Sequence, residues 1–550
     1  MTFNLDTLPD PLVFEVCNWL DIYSLCALSE VNRALRHLST TQPSFWIYTL
    51  SHCGIMLPLM MTSPLHAYPA VDLHLAAHRA IMIEANFGST HPRLRSWNTI
   101  TWPYEPSPGV RVEDIEWEEP IHAIYMHCLH PNGEWLLLVS THNIVRFVHL
   151  RTGKVAAVWD KDQYVDNNDK SVMAWGLDFT DENDSIMAMN CRVDGIPAIR
   201  ILEIHLDPAS SLATVKSLGT HITGEVASDV TITQRYVITV IPIKGTEPNE
   251  LGRIHMFNWK THESIEMPNL YPSMSTCAAE GYMISLGLGP GNGVYAQIIG
   301  YPMDEQEESD LKHKHNSQLP VLTYQLSLVG PEWDDRTFGS SQIGHSYTGE
   351  RFNFVHVWMR PKHSGSRYIF SFSFDLLELK LLHRRGYQGT PGISIVECVE
   401  ESHRVLEESG LKHLVIPAAS GRRFIWWRQV EELEAEEYEH SEEGESSEDG
   451  TVPTTVKAFQ FLTSLMEELA PSSQVRKEVF GRRFIFQIAS HYDPGSAVMK
   501  QLEASKRLEI PRELARADSP VFMFQISEWS GTILVQLESG QLFVLRYGKA

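Results

Sequence analysis

The chain has 550 residues, 43% of them hydrophobic, and a formal net charge of −24 with pI near 5.5. That length exceeds a single domain, and the apolar share supports a sizeable core. The charge leaves no basic footprint of the kind that nucleic-acid binding or adhesion to an anionic membrane needs. Seven cysteines (17, 26, 53, 128, 191, 277 and 398) are scattered, odd in number and never paired as Cys-x-x-Cys. This usage fits reduced thiols in the cytosol or nucleus, not a disulfide framework. The N-terminus shows neither a basic n-region nor a long apolar run, so no signal peptide is expected. Ile55 to Met61 is apolar but far too short to span a bilayer.

The first organised stretch is Leu8 to Leu50, whose pattern predicts three short helices. Asp10 suits an N-cap and Pro11 the first helical position, where no amide donor is required. Leu12, Val16 and Leu20, with Val13 and Trp19 beside them, recur at helical spacing. Asp21 or Ser24 caps a second turn carrying Leu25 and Leu28. Val31, Leu35 and Leu38 continue the period until Ser39, Thr40, Thr41, Gln42 and Pro43 stop it. Phe45 and Trp46 then return the chain to apolar character. A unit of roughly 40 residues is too small to bury its own core without a staple, and neither cysteine pairing nor metal spacing supplies one. Part of its apolar surface is therefore expected to face the rest of the chain or another protein.

Leu8-Pro9, Leu12, Val16, Leu20, Leu25, Leu28, Val31, Arg33, Leu35, Leu38 and the closing Phe45-Trp46 resemble an F-box. The resemblance implies docking on a Skp-type adaptor and, through it, a cullin of a cullin-RING ubiquitin ligase. The adaptor-binding residues it implies are Leu8, Pro9, Leu12, Val16, Leu20, Leu25, Leu28, Val31 and Trp46. Three positions depart from the family pattern. Pro11 stands where an acidic residue is common, Cys17 where Leu or Ile is common, and Asn32 where Cys is common.

Residues 51–120 are expected to form a helical and extended connector. Val71 to Phe87 has helical spacing through Leu73, Ala76, Ala77, Ala80, Ile81 and Ile83, and Trp97 to Pro108, rich in Pro and aromatics, reads as extended. From Ile121 short β-rich runs alternate with Gly, Asn, Asp and Pro turns. Ile121 to Asp160 gives four such runs in about 40 residues, the length and order of a propeller blade. It resembles a degenerate WD-repeat, with Trp159-Asp160 at the place of that family's Trp-Asp dipeptide. Weaker units follow at 173–207, 230–267, 281–301, 352–376 and 521–547, and six to eight blades are expected. Gly421-Arg-Arg-Phe-Ile-Trp-Trp recurs sixty positions later as Gly481-Arg-Arg-Phe-Ile-Phe-Gln, which suggests equivalent positions in two blades.

Two insertions interrupt the β pattern. Residues 303–318 are polar and expected to be a loop. Residues 431–450 hold eleven acidic residues and no Lys or Arg, a composition that cannot bury enough apolar surface to order itself. Ser441, Ser446 and Ser447 lie there in an acidic context that suits acid-directed kinases. Beyond them Thr454 to Leu469 has the spacing of an amphipathic helix.

No catalytic signature emerges. The Gly-rich run at 287–293 lacks the Lys and the following helix of a phosphate-binding loop, and no Gly-x-Ser-x-Gly is present. His74 and His78 have zinc-compatible spacing, but Leu75 stands where zincins have Glu, so they read as a surface or packing pair. His313 and His315, and the strand-and-turn residues His127, Cys128 and His130, likewise read as non-ligating. No cofactor and no metal are expected. The polar set with most functional promise is Arg422, Arg423, Arg482 and Arg483. If the two doublets converge on a propeller mouth, they suit an acidic or phosphorylated peptide.

The expected architecture is therefore α+β and multidomain: an F-box at 1–50, a connector at 51–120, and a mostly-β propeller-like domain at 121–550. The implied function is that of a non-catalytic substrate receptor in an SCF-type ubiquitin ligase. A propeller scaffold outside any ligase is the alternative.

Overall fold

The computed structural model describes residues 8–53, 65–108, 110, 121, 124–140, 144–159, 175–179, 183–227, 229–233, 235–242, 252–265, 267–268, 270–271, 273–279, 281–288, 294–302, 321–325, 344–348, 351–359, 367–375, 393–401, 416–417, 423–431, 482–489 and 506–548. The segments 303–318 and 454–469 lie outside these residues, as does the acidic insertion beyond Glu431.

Three short helices open the fold, as the spacing predicts: α1 (Asp10–Cys17), α2 (Ile22–Val31) and α3 (Arg33–Thr41), followed by α4 (Ile47–His52). Their ends differ in detail from the sequence reading. The N-cap of α1 is Pro9, whose carbonyl accepts from Leu12 and Val13, so Asp10 is inside the helix and places its charge in the first turn. Asp21, not Ser24, caps α2 by accepting from the Ser24 amide at 2.7 Å. Asn32 breaks the period between α2 and α3: it is extended, and its side chain accepts from the Leu35 amide at 2.9 Å. The departure from the family pattern at 32 is thus an N-cap. After 53, α5 (Ala70–Gly88) runs as one 19-residue helix.

The β domain is a series of antiparallel four-stranded meanders in chain order. The first is β2 to β5 (Ile124–Leu129, Trp135–Ser140, Val145–His149, Lys154–Trp159), and the second is β6 to β9 (Trp175–Phe179, Asp184–Val193, Ile196–Asp207, Leu212–Ile222). The third and fourth share one eight-stranded sheet: β10 to β13 (Asp229–Ile232, Tyr236–Pro242, Gly252–Asn258, Ser264–Ile265) and β14 to β17 (Ser273–Ala279, Tyr282–Leu288, Val294–Gly300, Val321–Gln325). The fifth is β18 to β21 (Gly344–Thr348, Arg351–Met359, Arg367–Asp375, Ile393–Glu401), and the sixth is β22 to β25 (Ile416–Pro417, Phe424–Glu431, Arg482–Ala489, Lys506–Arg507). The last meander, β26 to β28 (Val521–Ser527, Thr532–Leu537, Gln541–Arg546), supplies only three strands.

Its fourth strand comes from the other end of the chain. β1 (Ser96–Thr101) pairs antiparallel with β28 from Ser96↔Arg546 to Thr101↔Gln541. Among the described residues, seven four-stranded units with the outermost strand of the last one contributed from the N-terminal side have the closure of a β-propeller. The expected connector therefore divides: 96–101 belong to the propeller, because a lone strand with its amides unpaired gains a full ladder there.

Where side chains on both sides of a junction are described, the units pack face to face through apolar clusters. Leu534, Val544 and Met523 of the last unit meet Leu136, Leu138 and Val148 of the first. Trp135 and Phe147 of the first meet Met187 and Leu202 of the second. Ile199 and Ile201 meet Val237 and Phe257, and Tyr236 and Met256 meet Met283 and Ile299. Trp427, Phe484 and Phe486 of the sixth unit meet Phe524, Val535 and Phe543 of the last. Strands β3 and β4 between such faces are buried at every position.

Helix α5 joins the two regions. Leu73, Ala76, Ala77 and Ala80 lie in the core of α1–α4, while Ile83 and Phe87 lie in the cluster of the sixth and last β units. At its C-terminal end Asn86 donates to the carbonyls of Arg93 and Tyr547, each at 2.8 Å, and accepts from the Arg93 amide.

Candidate functional site

The small helical unit separates its apolar residues into an interior and an outward-facing set. Val13, Cys17, Ile22, Leu25, Cys26, Leu35, Phe45, Trp46 and Leu50 form the interior with α5. Trp46 is fully buried; its Nε1 donates to the Ser39 carbonyl at 2.6 Å, and its ring meets Phe45 edge-on at 5.1 Å. Thr49 Oγ1 donates to the carbonyls of Cys17 and Leu20 and so ties α4 to the end of α1. Burial pushes the Cys17 thiol up to about 11 and the Cys26 thiol up to about 12, so both are inert packing groups at neutral pH.

The outward set is large. Leu12 and Val16, four apart on α1, are exposed on one side of it. Trp19 continues that line in a turn held by its amide bond to the Val16 carbonyl, and it is 83% exposed. Tyr23, Val31 and Tyr48 are also exposed. A tryptophan left almost wholly in water beside two aliphatic side chains has the composition of an interface anchor.

The nine expected adaptor-binding residues fall into three groups. Pro9, Leu12, Val16 and Val31 are exposed. Leu8, Leu20 and Leu28 are half-buried and pack against the interior. Leu25 and Trp46 are fully buried core, which corrects their reading as docking residues: facing inward, they support the surface without forming it. Sequence spacing cannot separate the inner from the outer apolar stripe in so short a helix, because both repeat at three and four residues. Trp19 and Tyr23 belong to the surface and were not among the nine; the available signal was a Trp in the polar Asn18–Asp21 break.

The arginine set is also placed differently from expectation. The two Gly-Arg-Arg-Phe runs do not occupy equivalent positions in two units. They border neighbouring strands of one hairpin, with Phe424↔Ala489 at one end and Glu431↔Arg482 at the other. Arg423 and Arg482 therefore stand at opposite ends of the ladder, roughly 26 Å apart at strand rise, and do not converge on a mouth. Arg422 lies outside the described residues. Arg423 is buried. It pairs with Glu84 of α5 and, at 3.2 Å, with Glu528, and its guanidinium lies 5.0 Å from the Phe87 ring centroid. Its carboxylate partners leave it no room as a peptide receptor; it fastens α5 to the propeller.

Among the described inner strands, burial holds His127 down to about 4, a neutral packing imidazole. Among the described residues no helix is long and apolar enough to cross a membrane.

Residues 5–47 match the family model of the F-box domain. The match covers α1 to α3 and reaches the Phe45-Trp46 closure, so the region expected from the sequence is the region found. No curated protein sequence matches the chain. Among solved structures, the WD40 domain of SCAP from fission yeast superposes with TM-score 0.38 at 9% identity, covering 82% of this chain and 98% of that one. The β-propeller domain of Cps50 (Swd1) from Myceliophteria thermophila superposes with TM-score 0.36 at 8% identity, covering 77% and 96%. The propeller-like architecture stands on the order and closure of the sheets.

Proposed function

We propose that this chain is the substrate receptor of an SCF-type cullin-RING ubiquitin ligase. An F-box indicates a receptor or adaptor role in ubiquitin ligation, and the observation that carries the finer reading is the F-box match joined to the exposed Leu12–Val16–Trp19 line. In this reading those side chains, with Pro9 and Val31, seat a Skp-type adaptor that links the chain to a cullin. The propeller holds a substrate protein. The chain itself makes and breaks no bonds. It raises the effective concentration of substrate lysines near a conjugating enzyme. The scattered free thiols fit a cytoplasmic or nuclear setting.

The scaffold alternative has one observation in its favour. The helices share their core with α5, so they also cap the rest of the molecule. Deleting residues 1–50 would expose Leu73, Ala76 and Ala77 and would not separate the two readings. Surface variants do. Affinity purification of the full chain beside Leu12→Ala with Trp19→Ala, followed by mass spectrometry, should recover the adaptor and a cullin with the parent only. Absence of both from soluble parent would remove the ligase reading and leave the scaffold.

A further inference from the structure

His74 and His78 lie four apart on α5, and their rings are 4.5 Å apart. Sequence offered no third ligand, because the following residue is Leu75. The fold supplies one from another helix. Glu30, near the end of α2, brings a carboxylate oxygen to them, and one ligand atom from each of the three residues lies within 4.8 Å of the others. This is the metal-competent group found among the described residues.

Each partner is oriented for the task. Glu30 Oε2 faces Arg36 at 3.5 Å, while Oε1 faces His78 Nε2 at 3.9 Å. His78 Nε2 is sequestered from solvent without a hydrogen-bond partner. His74 Nδ1 lies 3.5 Å from the Ser39 hydroxyl, which itself donates to the Arg36 carbonyl. In the tautomer protonated at Nδ1 the hydroxyl can accept from it and leave the lone pair on Nε2, the kind of outer partner that orients a ligating histidine. Trp46 stands edge-on to both rings at 5.5 and 6.5 Å and dries one side of the group.

We propose that Glu30, His74 and His78 bind a divalent transition metal, zinc foremost, as a three-ligand site that clamps α2 of the F-box to α5. Two imidazoles and a carboxylate suit zinc, with water at the fourth position. Tetrahedral bonds of about 2.1 Å set ligand atoms roughly 3.4 Å apart, so closure from the present spacing needs side-chain adjustments of about 1 Å. The exposed Arg36–Glu30 pair is weak and uses the other carboxylate oxygen, so it does not block the site. The ligands lie on α2 and α5, whereas the Leu12–Val16–Trp19 line lies on α1 and the turn after it; of the proposed docking residues only Val31 adjoins a ligand in sequence.

The test uses the full chain purified without metal and titrated with cobalt(II), then zinc. The expected result is one equivalent bound with visible bands of nitrogen and oxygen ligation and no thiolate charge-transfer band, displaced by zinc. The zinc-loaded protein should melt higher than the metal-free one. His78→Gln and Glu30→Gln change partly exposed side chains and should keep the parent's metal-free helicity while losing at least about tenfold in affinity and the melting shift. Thiolate-type spectra, unaltered binding in both variants, or no saturable binding by the parent would each overturn the proposal. Unaltered binding would assign the metal to other residues.

Discussion

The helical region and the β domain treat apolar side chains in opposite ways. In the propeller whole strands vanish between neighbouring sheets: β3 and β4 are buried at every position. In the helical region nine of the twelve large apolar side chains that stand exposed among the described residues fall between Leu12 and Met82. Size explains part of this, since a 40-residue unit cannot enclose its own apolar surface. It borrows α5 for one face and leaves another to water. The β domain can close its strands on one another, and of the large apolar side chains among its described residues only Trp97, Ile196 and Ile222 stay exposed. Exposed apolar surface thus accumulates where chain-internal partners run out, and that is where an external partner is expected.

Four experiments break or sharpen this contrast. The largest effect should come from the interior of the helical unit. Trp46→Ala should cost about 3–5 kcal/mol and unfold the F-box, seen as lost helical circular dichroism with the β signal retained; a stable, helical variant would mean that Trp46 is not core. Next is the join between regions. Arg423→Met removes the guanidinium that Glu84 and Glu528 share, and removing one partner of a buried pair costs about 3 kcal/mol or more. Limited proteolysis should then cut near α5, and unchanged resistance would show that Asn86 and Phe87 suffice.

The proposed docking surface should respond in affinity and not in stability. Leu12→Ala with Trp19→Ala should weaken adaptor binding roughly a thousandfold if each anchor is worth about 2 kcal/mol, with the melting temperature within a few degrees of the parent. A matching fall in stability would merge surface and interior. The smallest effect is in pH. His127 in the β domain stays neutral in the fold to about pH 4, while the unfolded ring protonates near 6.5. Its contribution is therefore full above pH 6.5 and lost as pH falls from 6.5 towards 4. The β melting transition should drop between pH 7 and pH 5, and His127→Gln should flatten that slope; an equal slope would assign it to other groups.

Local chemistry was the legible part of the sequence. The three helices, α5, the four runs of the first blade and the last three strands follow directly from spacing, caps and turns. β9 escaped because it is half-exposed along nearly its whole length, so no apolar run marks it. Leu25 and Trp46 were legible as apolar but not as inward-facing, because orientation is decided by α5, which lies some 25 to 55 residues later. The arginine doublets misled for the same reason: a repeat in sequence says nothing about whether its copies sit in two sheets or face each other across one. The Glu30–His74–His78 group is the extreme case, since its third member comes from a different helix and has no fixed spacing to the other two.

The pairing of β1 with β28 has a consequence in time. The partners are separated by about 450 residues. At typical translation rates of about 5–20 residues per second, β1 leaves the ribosome roughly 20 to 90 s before the strand that receives it. The helical region can settle in that interval, but β1 waits as an unpaired edge and the first blade waits for its neighbour across Leu534 and Val544. Ring closure thus waits for the last blade, and shielding during synthesis is needed most at the N-terminal rim of the ring.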